Sequence, residues 1–147
     1  MYRRIVVPLD GSAFAEQALS EAERMARLAG APVHLLRVID VLEFEVARET
    51  AAASSYLQTI AERLGKSGLV ADIEIRRGQT EREVIAVSRP GDVIVMASHG
   101  RGGVPRWFLG SVAEAVVRHA TVPVLLVRAT EPSASRNRTA PATAAVS

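Results

Sequence analysis

The stretch VIVMASHGRGGVPRWFLGSVAEAVVRHA, residues 93–120, reads as a strand, a glycine-bearing connection and a helix start. Val93-Ile94-Val95-Met96-Ala97 is apolar without alternation, the pattern of a strand buried on both faces of a parallel sheet. Residues 111–120 carry apolar side chains at helical spacing. Between them stand Ala97-Ser98-His99-Gly100, then nine residues, then Gly110-Ser111. A helix start presents unpaired N–H groups and the positive end of the helix dipole. Glycine lets a phosphate approach that backbone closely. The chain therefore has one place built to hold an anion, and its setting suits a nucleotide phosphate.

Upstream, RRIVVPL (3–9) reads as a first strand ended by Asp10-Gly11, with Ser12 as helix N-cap. Ala15, Ala18, Leu19, Ala22, Met25, Ala26 and Ala29 mark one face of a helix that Gly30 stops. VHLLRV (33–38) is a second strand; a Glu-rich loop or ragged helix start follows over 40–50. Tyr56, Leu57, Ile60, Ala61 and Leu64 carry a second helix, ended by Gly65 or Gly68. VADIEIR (70–76) alternates apolar and charged residues, as a half-exposed edge strand does. Thr80-Glu81-Arg82-Glu83 reads as a capping box opening a third helix. Residues 122–127 (VPVLLV) form a fifth strand.

This βα alternation predicts an α/β fold, a three-layer open parallel sheet of five strands with helices on both faces. Right-handed crossovers allow the orders 2-1-3-4-5 and 3-2-1-4-5. The charged third strand prefers an edge and favours 3-2-1-4-5, a Rossmann-like mononucleotide-binding arrangement. The winding then reverses between strands one and four, where ligands bind beyond the carboxyl ends. Those ends are Asp10-Gly11-Ser12 and the segment 97–111. The connection 98–110 is long for such a fold and holds Gly100, Arg101, Gly102, Gly103 and Arg106, which suits an anion-binding flap.

The 147 residues suffice for one domain, expected over 1–129, with a disordered tail over 130–147 rich in Ala, Ser, Thr and Pro. Residues 1–127 balance 15 Lys+Arg against 15 Asp+Glu, and aromatics are 4%, so no nucleic-acid surface is expected. No apolar run approaches the roughly 18–20 residues of a membrane span, and no secretory pattern precedes residue 5. With no cysteine, a cytoplasmic location is expected. There is no GxxxxGK[ST], no GxSxG and no His/Glu set for a metal site. A receiver domain's acidic acceptor after strand three is replaced by Arg76-Arg77-Gly78.

The stretches RRIVVPLDGS, LLRVID and ASHGRGGVPRWFLGSVAEAVVRHATVPVLLVR resemble the universal stress protein family over about residues 2–128. The nucleotide-binding branch carries Gly, two residues, Gly, nine residues, Gly, then Ser or Thr. This chain keeps Gly100, the gap, Gly110 and Ser111, and has Ala97 at the first glycine. The resemblance implies ATP with Mg²⁺ as ligand. Asp10 would accept from ribose hydroxyls. Val38 would offer its backbone to adenine in a slot with Pro8, Leu9 and Met96. Ala97, Ser98 and His99 would pass the ribose, and Gly100, Gly110, Ser111 and Val112 would hold phosphates, with Arg101 or Arg106 adding charge. At ordinary φ the Ala97 methyl is tolerable; a need for φ > 0 would block the site.

Plainer roles stand beside these. Asp10 before Gly11-Ser12 also suits a turn, Gly110-Ser111 a simple helix start, and Trp107-Phe108 burial against the domain or a partner subunit. His99 suits loop packing, and His34 and His119 need no ligand. The apolar edge 122–127 predicts a homodimer by antiparallel pairing across a two-fold axis. The expected function is that of an ATP-binding regulatory stress protein, not a dedicated enzyme, whose 98–110 connection is read by a protein partner. The alternatives are an interaction module without nucleotide, or slow ATP hydrolysis or phosphoryl or adenylyl transfer in the same cleft.

Overall fold

The computed structural model describes residues 1–99, with the backbone alone at His99, and residues 109–130. Five strands form one parallel sheet: β1 (Arg4–Pro8), β2 (Val33–Ile39), β3 (Ala71–Arg77), β4 (Asp92–His99) and β5 (Val124–Ala129). Their order is β3-β2-β1-β4-β5, the 3-2-1-4-5 arrangement expected from the charged third strand. The helices are α1 (Ala13–Glu16), α2 (Leu19–Ala29), α3 (Val46–Lys66), α4 (Thr80–Val87) and α5 (Ser111–His119), with a 3₁₀ turn at Glu43–Glu45.

Two cores follow from the pleat, because successive side chains point to opposite faces. Ile5, Val7, Val33, Leu35, Val93 and Val95 bury against Leu19, Ala22, Leu57, Ile60 and Leu64 of α2 and α3. Val6, Leu36, Val38, Ile94 and Met96 bury against Val84 and Val87 of α4 and Ala113 and Val116 of α5. Strands β1, β2 and β4 are apolar on both faces for this reason. Edge strand β3 keeps its charges, and they serve its neighbour. The ring of His34, 3% exposed, lies with Nδ1 2.9 Å from Asp72 and Nε2 2.9 Å from Glu74. Arg76 bonds Glu74 at 3.0 Å and Glu83 of α4 at 2.5 Å.

Several boundaries differ from expectation. The first helix is interrupted at Gln17-Ala18, where N–H groups bond three residues back, to Phe14 and Ala15, and the Gln17 amide holds the backbone of Thr130 from both sides, at 2.6 and 2.9 Å. The capping box does not form. Helix α4 has Gln79 as N-cap with no side-chain cap bond, and Glu83, which the box needs, is engaged by Arg76. Strand β5 begins at Val124 instead of Val122, because Pro123 contributes only its carbonyl, to Ile94 N–H at 3.0 Å. Strand β4 runs two residues past Ala97, paired Ser98 to Arg128 and His99 to Ala129, so the connection to α5 comprises 100–110 instead of 98–110. The flap residues 100–108 and the tail beyond Thr130 lie outside the described residues.

Candidate functional site

The sheet order places the carboxyl ends of β1 and β4 side by side, paired in parallel through Arg4, Ile5 and Val6, with the winding reversing between them. A cavity of about 200 Å³ opens there. Nine of the thirteen residues expected at a site line it: Pro8, Leu9, Asp10, Val38, Met96, Ala97, Gly110, Ser111 and Val112. Ser98 is 9% exposed at the next position of β4 and is not a lining residue. The His99 side chain, Gly100 and Arg101 lie outside the described residues.

One wall is the start of α5. Gly110 is its N-cap at φ 87°, ψ 151°, and makes no side-chain cap bond. The Glu114 N–H bonds the Gly110 carbonyl at 2.9 Å. The N–H groups of the first turn, from Ser111 to Ala113, have no intrahelical acceptor and stand at the positive end of the dipole. Leu109, Gly110, Ser111, Val112 and Ala113 all line the cavity, so this end of α5 borders it. An anion fits such a terminus.

A second wall is the end of β2. Leu9 N–H bonds the Leu36 carbonyl at 2.8 Å, and Gly78 N–H bonds the Ile39 carbonyl at 3.0 Å. In a parallel strand, the N–H and C=O of one residue face the same neighbour, and alternate residues face alternate sides. Leu36 faces β1 and Ile39 faces β3. Val38 therefore turns its N–H and C=O towards the β1 side, two residues beyond the Leu36 bond, where β1 has already ended at Pro8. The Val38 peptide thus presents one donor and one acceptor at the cleft.

Asp10 sits between these walls. Its Oδ1 accepts the Ser12 N–H at 2.8 Å, so the turn role of Asp10 is real. Burial acts to raise its carboxyl, but the Ser12 hydroxyl, the Ser12 N–H and the Arg37 charge outweigh it and hold it below the ordinary value. Ser12 caps α1 by accepting the Ala15 N–H at 3.1 Å. A carboxylate has room for further donors beside the Ser12 bond. Behind it, the Tyr56 hydroxyl is buried and makes no well-formed hydrogen bond among the described residues, although Glu16 lies close. Burial and the nearby charges of Glu16 and Asp10 push it up to about 12. Among the described residues, no group of three or more His, Cys, Asp or Glu side chains forms a metal cage.

Ala97 carries no strain: among the described residues no non-glycine has positive φ, and Ala97 is paired with Val127 as ordinary strand. Lining residues not anticipated from sequence include Phe14, Leu36, Arg37, Thr80 and Ala113. Arg37 directly precedes Val38 and so points to the opposite face of β2, and no local pattern marked it as a lining residue. Thr80 was obscured by the apparent capping box.

The family model for the Universal stress protein family matches residues 1–128. The chain belongs to the universal stress protein family. It is 30% identical over 143 residues to Universal stress protein MJ0531 of Methanocaldococcus jannaschii, covering 87% of this chain and 83% of that one. It is 29% identical to a universal stress protein of Mycolicibacterium smegmatis, covering 91% of this chain but 51% of the relative; the chain spans about half the length of that mycobacterial protein. Among solved structures, hypothetical protein MJ0577 superposes with a TM-score of 0.74 at 30% identity, over 90% of this chain and 99% of that one. UspA from Lactobacillus plantarum superposes with a TM-score of 0.73 at 25% identity, over 86% and 98%. This universal stress protein thus has the family's Rossmann-like α/β fold.

Proposed function

We propose that this universal stress protein binds ATP with Mg²⁺ in the cleft between Asp10, Val38 and the start of α5, and acts as a nucleotide-dependent regulatory protein. The observation that carries the reading is the cavity itself, which joins an uncapped helix N-terminus, a carboxylate below its ordinary pKa and a strand end with a free-facing peptide. These suit triphosphate, ribose and adenine in turn. Mg²⁺ would ride on the phosphates with its waters, as it does where no protein cage is built. Two solved universal stress proteins of the same fold are described in complex with cAMP and with dAMP. At 20% and 21% identity they bear on the fold alone, so the ligand assignment rests on the cleft.

On this reading the protein works by occupancy and not by turnover. Bound ATP favours one state of the protein through unequal affinity for its states, and a protein partner reads that state. A homodimer through β5 fits the half-buried apolar run Val124, Leu125, Leu126 and Val127. A cytoplasmic protein whose domain covers 1–129 completes the proposal.

The test is isothermal titration of ATP, with and without Mg²⁺, into nucleotide-stripped protein and an Asp10→Ala variant. Micromolar binding by the parent, weakened in the variant, supports the reading. No binding by the parent overturns it and leaves an interaction module. Light scattering at micromolar concentration tests the dimer, and a monomer there removes it.

A further inference from the structure

Resting on the nucleotide reading above, we propose that Thr80 is a base-reading residue, its hydroxyl accepting from the exocyclic amino group of the adenine that Val38 also holds. Thr80 opens α4 and lines the same cavity as Val38 and Met96. It is free for this role because Gln79, not Thr80, is the N-cap, and among the described residues no hydrogen bond engages the Thr80 hydroxyl.

Its position is fixed from both sides in sequence. Gly78 N–H bonds the Ile39 carbonyl at 3.0 Å, tying the β3–α4 turn to the end of β2 one residue beyond Val38. Gly78 has φ 142°, and a Cβ there would meet Glu83 Oε1 at 3.0 Å, so the turn and α4 are in close contact. Glu83 is in turn held by Arg76 of β3 at 2.5 Å. Thr80 is thus braced next to the strand end whose peptide faces the cleft. The neighbouring wall is apolar, being Leu36, Val38, Met96 and Val112 side chains. A 6-amino group has two N–H donors. The Val38 carbonyl accepts one, and the Thr80 oxygen, which has two lone pairs, accepts the other.

The experiment compares ATP with purine riboside 5'-triphosphate, which lacks the 6-amino group, on nucleotide-stripped parent, Thr80→Val and Thr80→Ser proteins. Thermal unfolding of each variant without ligand reports whether the fold is intact. Thr80→Val should weaken ATP about three- to tenfold, the worth of one neutral hydrogen bond, and leave the analogue unchanged. Thr80→Ser should retain parental affinity for both. Equal loss on both ligands, or no loss on ATP, overturns the assignment of Thr80 while leaving ATP binding in place. Failure of the parent to bind either ligand overturns the nucleotide reading and this inference with it.

Discussion

Replacing Gly110 by alanine tests the helix-terminus site at its most constrained atom. At φ 87°, ψ 151°, Gly110 occupies a region that is essentially reserved for glycine, and holding another residue there costs about 1–3 kcal/mol. The chain can escape the strain by rebuilding the start of α5, but that helix is anchored by Val116 at 0% and Ala113 at 4% exposure. Withdrawing Val116 alone costs about 1.5–3 kcal/mol of burial. Neither route is cheap, so Gly110→Ala should lose about 1–3 kcal/mol by urea unfolding followed by far-UV circular dichroism. Either route shifts the N–H groups of the first turn. A hydrogen bond to a charged group is worth about 1.5–3 kcal/mol, so ATP affinity by isothermal titration should fall at least about tenfold. Gly30→Ala is the control, because Gly30 caps α2 in the left-handed region at φ 61°, has nothing within 4 Å of where a methyl group would stand, and lies outside the cleft. It should cost about 1 kcal/mol and leave affinity unchanged. A Gly110→Ala protein with parental stability and affinity would refute the reasoning entirely. A destabilised one with parental affinity would refute the anion site alone.

Ala97→Gly should cost about 0.5–1 kcal/mol of stability and leave ATP affinity within about twofold, because Ala97 is an unstrained strand residue; a large gain in affinity would show that its methyl obstructs the ligand. Arg4→Met should lose about 3–5 kcal/mol. It strands Asp92, whose side chain is 4% exposed and bonded to Arg4 Nη2 at 2.6 Å and Nε at 3.2 Å; urea titration showing a loss under 1 kcal/mol would contradict this. In the parent, burial raises the Asp92 carboxyl but bonds from Arg4 and the Arg89 N–H outweigh it and hold it below its ordinary value. Its contribution is therefore complete above the unfolded value and is lost as pH falls through the lower folded one. Arg4→Met should shrink that acid loss, because burial without Arg4 no longer leaves the folded carboxyl as far below its unfolded value, so the gap in urea midpoints between parent and variant should narrow as pH falls; an unchanged gap would count against the pair. Tyr56→Phe removes a buried hydroxyl that makes no well-formed hydrogen bond among the described residues and should raise stability by up to about 1 kcal/mol; a loss of that size in thermal unfolding would show that Glu16 satisfies the hydroxyl.

Sheet order was legible because VADIEIR alternates and VIVMA does not, which sorts an edge strand from a central one. The candidate site's two ends were legible because Asp10 and Gly110-Ser111 punctuate strand and helix. Thr80 was not, because a capping-box pattern at 80–83 is satisfied only if Glu83 is free, and Arg76 reaches it across the β3–α4 turn. Arg37 was hidden for a related reason: the β1 end leaves the cleft open to side chains from both faces of β2, which no local pattern records. The break at Gln17 likewise depends on Thr130, far away in sequence.

The two margins of the sheet have opposite characters. Along β3, Asp72, Glu74, Arg76 and Arg77 interleave with apolar residues, and Asp72 is 60% exposed while closing on His34. A further strand laid there would pair with the β3 backbone and set its own side chains beside these charges, partly stripping them of water. Along β5, Val124, Leu125, Leu126 and Val127 present no charge. Among the described residues, edge addition therefore meets fewer charges on the β5 side, where Arg128 follows the apolar run. Copies joined through β5, as proposed, would present two β3 margins outward, so assembly would terminate at a pair and could not run on into a fibre.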